Sequence, residues 1–281
     1  MAKGAIKAGV MGWPARHSLS PRLHAFWLSL YGIDGSYQAI DVAPDEFPGK
    51  LKALAEDGFV GCNVTVPHKE AALATVDAAD QNAKRIGAVN TVSVRSDGTL
   101  LGSNSDGYGF MENLRQRAPD FDPGAGPAVL LGAGGAARGV VAALLDAGCP
   151  GVHITNRTHE RAVQLKDHIG GAITVHEWDE RSAVFEGANL LVNTTTLGME
   201  NNPPLDIDFS RLPKDALVTD IVYTPLDTPF LKRASAQGNL CVDGLGMLLH
   251  QARPGFEAWF GVAPEVTDDL RVHVLSNLVG T

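Results

Sequence analysis

The residues best suited to chemistry stand at the ends of predicted strands. In Gly61-Cys62-Asn63-Val64-Thr65-Val66-Pro67-His68-Lys69-Glu70, β-branched residues mix with polar ones until Pro67 stops the run. The pattern predicts a strand over 60–66, then a short helix whose first turn accepts the proline. Regular alternation puts Asn63 and Thr65 on one side. Lys69 then stands just past the carboxyl end of a strand, where open α/β sheets place ligand crevices. An amine there can exchange a proton with a reacting oxygen; a solvated charge at a turn would have the same sequence. Three more segments carry small polar groups. In His17-Ser18-Leu19-Ser20-Pro21, Ser20 either caps the following helix or faces a ligand, and Ser18 is the freer hydroxyl. Asn90 interrupts Gly87-Ala88-Val89-Asn90-Thr91, where an apolar residue would suit a buried strand better. Asn104-Ser105-Asp106-Gly107 is either an Asx turn or the start of a helix leaving the first domain.

A second kind of site lies further on. Gly132-Ala133-Gly134-Gly135-Ala136-Ala137 follows the apolar run Ala128-Val129-Leu130-Leu131 and opens an alanine-rich helix. Gly132, Gly134 and the small Ala137 have dinucleotide-binding spacing. Glycines allow a tight turn and close backbone approach to a pyrophosphate, while the helix N-terminus offers unpaired N–H groups. An acidic residue about twenty positions on would bind adenosine ribose hydroxyls. The chain instead carries Asn156-Arg157-Thr158-His159-Glu160-Arg161. Arg157 can meet a 2′-phosphate with several fixed donors, and Asn156 and Thr158 can add uncharged hydrogen bonds. A solvated basic helix start is the plainer alternative. The balance favours NADP over NAD.

These groups need strands and helices to hold them. The 281 residues suffice for two domains. With 44 % hydrophobic and 20 % charged residues, the composition is that of an ordinary soluble protein. A net charge of −9 without a basic block excludes a nucleic-acid partner. Cys62, Cys149 and Cys241 have neither disulfide-framework nor metal-ligand spacing, which suits a reducing cytoplasm and no metal. No apolar run is long enough for a membrane span, and the first eleven residues read as a strand rather than a leader. Strands are predicted over 5–11, 36–41 and 60–66, with helices over 21–30 and 44–56, giving a mainly parallel α/β sheet. Residues 89–101 predict a hairpin. The stretch 117–127 has three prolines and two glycines and predicts the join between domains. Strands follow over 128–131, 152–155, 172–175, 190–193, 217–221 and 239–242, with a helix over 136–147. The tail from Gly244 reads as helices, with Leu245, Leu248, Leu249 and Ala252 on one face.

Taken together, HSLSP at 17–21, NVTVPHKE at 63–70, GAVNT at 87–91, NSDG at 104–107, GAGGAARG at 132–139, NRT at 156–158 and GLGMLLHQA at 244–252 resemble the shikimate dehydrogenase family. The resemblance spans about residues 7 to 263. It implies NADP-linked, reversible reduction of 3-dehydroshikimate to shikimate, in the route to aromatic amino acids. It also implies Lys69 and Asp106 as the catalytic pair, with substrate held by Ser18, Ser20, Asn63, Thr65, Asn90, Tyr223 and Gln251 together with Asp106. NADP would be held by Gly132, Ala133, Gly134, Gly135 and Ala136 and by residues 156–161, including His159, Glu160 and Arg161. Ile221, Gly244 and Met247 would line the nicotinamide end, with Gln81 nearby. The implied fold is a substrate-binding catalytic domain, 1–106 completed by 244–281, and a Rossmann-like NADP-binding domain, 107–243. Substrate and cofactor would meet across the joint near 104–110 and 240–250. Monomer and homodimer both fit. The chain departs from the family at Ser105, usually threonine, at Ala25, often asparagine, and at Gly102-Ser103, commonly Gly-Tyr. A quinate or dual-specificity dehydrogenase and a catalytically inactive NADP-binding regulator are the alternative readings.

Arg157→Ala should raise the KM for NADP far more than that for NAD. One well-placed charged hydrogen bond is worth roughly 1.5–3 kcal/mol, about one to two factors of ten. Equal losses with both cofactors in steady-state kinetics would make Arg157 structural.

Overall fold

Apolar strands that run on without polar alternation need cover on both faces, and two helix-covered sheets supply it. A computed structural model describes residues 5–276; the expected domain ends, 1–4 and 277–281, lie outside them. One compact unit runs to Ser105 and resumes at Leu248, and the other runs from Asp106 to Met247.

The first unit is built from β1 (Ile6–Gly12), α1 (Ser20–Leu30), β2 (Gly35–Asp41), α2 (Phe47–Lys52), β3 (Phe59–Val64), α3 (Lys69–Thr75), β4 (Ala78–Ala79), α4 (Gln81–Ile86), β5 (Thr91–Val94) and β6 (Leu100–Ser103). Its sheet has the order β2-β1-β3-β5-β6-β4. β1 lies parallel to β2 and β3. β5 runs antiparallel to both β3 and β6, which is the expected hairpin. Phe47, Leu51 and Leu54 pack with Met11, Cys62, Val64 and Val92. Elsewhere α1 brings Trp27 against Phe256 of the helix Leu245–Phe260, with ring centroids 5.2 Å apart. That helix is fastened to the sheet by Trp259, whose Nε1 donates to the Val92 carbonyl at 3.1 Å. A Cβ at Gly61 would lie 2.0 Å from that Nε1 and 2.3 Å from the Val92 oxygen, so β3 needs glycine beneath the indole. Trp259 and the side chain that Gly61 lacks thus fasten the returning helix to the first sheet.

The second unit contains α5 (Asp106–Arg117), β7 (Ala128–Leu131), α6 (Gly135–Asp146), β8 (Val152–Thr155), α7 (His159–Ile169), β9 (Ile173–His176), β10 (Leu190–Asn193), β11 (Leu217–Asp220), α8 (Pro229–Gln237) and β12 (Cys241–Val242). α9 (Leu245–Phe260) begins at its end, and α10 (Asp268–Leu275) closes the described chain in the first unit. The strand order β12-β11-β10-β7-β8-β9 is parallel throughout. Strand order reverses at β7, with β8 on one side and β10 on the other, and ligands of such sheets bind at the carboxyl ends of the strands there. Leu130, Val140 and Val192 belong to one buried cluster and Val129, Leu131 and Leu191 to another, as alternation within strands buried on both faces requires. α8 shows why local sequence sets its ends: Thr228 accepts from Leu231 N–H, Pro229 opens the first turn, and Gly238 ends it with φ 103°.

Several boundaries differ from expectation. The helix predicted over 44–56 is only Phe47–Lys52, because Ala53 to Gly58 fold as successive turns before β3. Pro67 does not enter a helix; it follows a cis peptide in the turn between β3 and α3, which begins at Lys69. The stretch 117–127 does not join the units but lies inside the second. Its polar groups are used there: Asp122 accepts from Gly124 N–H, and its carbonyl accepts from Asn189 Nδ2. The last predicted strand of that sheet shortens to Cys241–Val242, since Asn239 spends its amide on the Pro213 and Ala216 carbonyls.

Candidate functional site

In the first unit the polar segments converge on Asn90, which is 2 % exposed. Its Oδ1 accepts from Ser105 N–H at 2.9 Å and from Thr91 Oγ1 at 2.9 Å. Its Nδ2 donates to Ser105 Oγ at 3.0 Å and reaches Gln251 Oε1 at 3.3 Å. Each hydroxyl has one proton, which fixes the directions. Ser105 Oγ takes the amide hydrogen and gives its own to the Gln251 carbonyl at 2.8 Å. Thr91 Oγ1 gives its proton to Asn90 and accepts from Asn63 Nδ2 at 3.2 Å. Asn63 Nδ2 also donates to the Asn90 carbonyl at 3.1 Å, and Asn63 Oδ1 accepts from Tyr37 Oη at 2.6 Å. Gln251 thus joins residues some 150 positions earlier in the chain. The hydroxyl retained at Ser105 is the group this network uses, so the loss of a methyl there leaves every bond in place. Ala25 is exposed on α1, away from these bonds.

Lys69 is half-buried and opens α3. Its carbonyl accepts from Val89 N–H at 2.9 Å, which fastens the lysine to the residue before Asn90. The preceding His68 is buried, stacks on Phe47 at 4.3 Å, and directs Nε2 at the Val42 carbonyl at 2.8 Å. A carbonyl only accepts, so Nε2 carries the proton. Burial lowers the His68 pKa, with the Val42 bond opposing it. Thr65 lies one residue beyond β3 rather than within it, and its carbonyl accepts from His68 N–H at 2.9 Å. Asn63 is buried and Thr65 half-buried. Ser20 does not cap α1: Leu19 occupies the cap without a side-chain bond, and Ser18 Oγ accepts from Ser20 N–H at 3.2 Å. Asn104 Nδ2 crosses to the Ala88 carbonyl at 3.0 Å. Gln81 is exposed at the start of α4.

The second unit holds the other candidates. Asp106 is its first residue, 4 % exposed at the start of α5. Gly132 follows β7 with φ 110°, which a side chain would resist, and a Cβ there would come 2.7 Å from Thr194 Oγ1. Gly134 caps α6 with no side-chain bond and has nothing within 4 Å of the space a Cβ would take. An uncapped twelve-residue helix start with open space over glycine fits a pyrophosphate. Ala133 is buried beneath, while Gly135 and Ala136 are half-buried. Asn156 links the two loops, accepting from Ala133 N–H at 3.1 Å and donating to the Thr158 carbonyl at 2.7 Å. Arg157, Thr158, Glu160 and Arg161 are exposed around the start of α7, and His159 Nδ1 lies 3.1 Å from Glu177 Oε1. Ile221 and Gly244 touch: a Cβ on Gly244 would lie 2.4 Å from the Ile221 carbonyl carbon and oxygen. Met247 is buried in the same unit. Tyr223 belongs to this unit too, in the loop after β11.

Sequence reasoning missed what holds that loop. Asp220, fully buried, accepts at Oδ1 from Asn193 Nδ2 and Val222 N–H, each at 3.0 Å, and at Oδ2 from Thr228 Oγ1 at 2.8 Å. The available signal was a polar residue closing each of two apolar runs, Leu190-Leu191-Val192-Asn193 and Leu217-Val218-Thr219-Asp220.

Against this geometry stand the comparisons with known proteins. Residues 10–92 match the model of the shikimate dehydrogenase substrate binding domain, and residues 121–200 that of shikimate / quinate 5-dehydrogenase. The chain is 58 % identical over 276 residues to the shikimate dehydrogenase (NADP(+)) of Paramagnetospirillum magneticum, covering 98 % of this chain and 100 % of that protein. Among solved structures, shikimate 5-dehydrogenase from Thermus thermophilus in complex with NADP(H) and shikimate superposes with a TM-score of 0.85 at 38 % identity, covering 98 % of this chain and all of that one. Quinate dehydrogenase from Corynebacterium glutamicum in complex with NAD gives 0.88 at 31 % identity, over 97 % and 99 % of the two chains.

Asp220 should leave a signature in stability against pH. Burial pushes its carboxyl up to about 6 from 3.8, against the three bonds that lower it. A folded pKa above the unfolded one means that the folded protein takes up a proton first. That stabilisation is present below the unfolded pKa and is lost as pH rises through the folded one. Asp220→Asn keeps an acceptor for Asn193 and Val222 and does not titrate. Its stability relative to wild type should therefore rise by roughly 3 kcal/mol between about pH 4 and pH 8 in urea denaturation. Parallel curves for the two proteins would show that Asp220 is not the titrating group.

Proposed function

The chain belongs to the shikimate dehydrogenase family, and we propose that it interconverts 3-dehydroshikimate and shikimate reversibly with NADP as the redox partner. The observation that carries the reading is the bond from Val89 N–H to the Lys69 carbonyl, which ties the backbone at Lys69 to the residue before the buried Asn90. Reduction of a ketone develops negative charge on its oxygen, and a proton donor or positive charge beside that oxygen lowers the barrier. Lys69 supplies that proton, and its neutral amine takes one back in the reverse oxidation. Asp106 is its partner, orienting the amine and sharing a hydrogen bond with a substrate hydroxyl. Ser18, Ser20, Thr65, Asn90 and Gln251 offer hydroxyl and amide groups that match a polyhydroxylated ring with one carboxylate, and Tyr223 adds a phenol. Asn63 joins them: its amide hydrogens hold Asn90 and Thr91, and its oxygen, which accepts from Tyr37 Oη, keeps a second lone pair for a substrate hydroxyl.

NADPH, when bound, supplies the hydride. The turn Gly132 to Ala136 would hold its pyrophosphate, and Asn156 to Arg161 its adenosine end, with Arg157 presenting charge to the 2′-phosphate. Ile221, Gly244 and Met247, with Gln81, would line the nicotinamide end. The domain assignment follows: 1–106 with 244–281 for substrate, and 107–243 for NADP. Three unpaired cysteines suit a cytoplasmic enzyme. Among the described residues, no helix is long and apolar enough to cross a membrane. The reading holds for a monomer or a homodimer.

The test is a panel of assays on the purified chain. Shikimate with NADP should exceed shikimate with NAD in kcat/KM by about tenfold or more, the worth of one charged hydrogen bond. Quinate with NAD as the better pair would assign the chain to the other activity in its family. NADPH binding without reduction of 3-dehydroshikimate at any pH tried would mark it as an inactive regulator.

A further inference from the structure

The hydroxyl of Tyr37 reaches across a whole strand. Tyr37 stands on β2 opposite Ala8 of β1, which in turn stands opposite Gly61 of β3. Asn63 is two residues further along β3 and therefore on the same face. The small Ala8 on the strand between them leaves room for the ring to pass, while the Trp259 indole fills the space over Gly61. Tyr37 Oη donates to Asn63 Oδ1 at 2.6 Å in a fully buried bond. That bond orients Asn63, whose amide hydrogens continue to the Asn90 carbonyl and Thr91 Oγ1.

The ring itself is held flat. His24 stacks on it with centroids 3.7 Å apart and planes 5° from parallel. His24 is fully buried, and neither of its ring nitrogens has a hydrogen-bond partner. Burial keeps that imidazole neutral, its pKa lowered to about 3. A neutral ring that bonds nothing at its edge contributes through its face, and that face sets the plane of the phenol. Trp259 closes around the pair, 6.1 Å from Tyr37 and 5.9 Å from His24.

We propose that Tyr37 is a positioning residue of the substrate site, its hydroxyl fixing the side chain of Asn63 in the orientation that receives shikimate. The inference rests on the family function proposed above. Tyr37 touches neither cofactor nor reacting atoms in this account. A tyrosine kept only for packing would keep its ring and have no need of its hydroxyl.

Tyr37→Phe separates the two roles, because it retains the ring and the stack on His24 and deletes only the oxygen. Shikimate KM, and its Kd by calorimetric titration, should rise about tenfold, since the buried Asn63 oxygen loses its donor. The Kd for NADP and the kcat should stay within about threefold of wild type. Shikimate constants within about twofold of wild type would overturn the proposal, as would equal weakening of both ligands. Failure of the wild-type chain to bind shikimate at all would overturn the functional reading instead, and that is visible before any variant is made.

Discussion

A buried amide that must have every hydrogen bond satisfied is the constraint on which the first unit depends. Asn90 sits where a strand would prefer an aliphatic residue, and leaving its polar atoms unpaired would cost about 1–3 kcal/mol for each group. The chain meets the requirement with the neighbouring Thr91, with Ser105 fifteen residues on and with Gln251 far along the sequence. Satisfying Asn90 therefore also fixes the start of the NSDG segment and the C-terminal helix against β5. Such a network rigidifies its surroundings when complete and destabilises them when broken.

The same logic governs the second unit, with a carboxylate in place of an amide. Asp220 collects Asn193, Val222 and Thr228 and so shapes the loop that carries Ile221 and Tyr223. The raised pKa shows that three donors do not fully offset the burial of its charge. Stability is given up to hold a loop in one shape, a pattern expected where local consistency yields to function.

Much of this was legible in the sequence because polar residues stood where strands want apolar ones. Asn63, Asn90, Lys69 and the glycine turn at 132–136 all carried that mark, and the alternation of strands and helices gave both sheets. Other features left no local trace. Tyr37 reads as an ordinary aromatic strand residue, and only the register over Ala8 shows its hydroxyl reaching Asn63. Ser20 looked like a cap because serine before proline usually is one, yet Ser18 takes its N–H. The stretch 117–127 looked like a linker by composition, but Asn189 ties it into the second unit. The turns after α2 kept a helical composition while tertiary packing ended the helix early.

One group decides the chemistry proposed for the chain, the amine of Lys69, whose backbone carbonyl accepts from Val89 N–H. Reduction of 3-dehydroshikimate by wild type and Lys69→Ala, alongside a titration of NADPH binding to both, tests the account most directly. Removing a positioned acid–base group costs on the order of 10²–10⁴ in rate, so kcat should fall by that much while NADPH binds as before. Near-wild-type turnover in the variant would make Lys69 a surface charge and contradict the account.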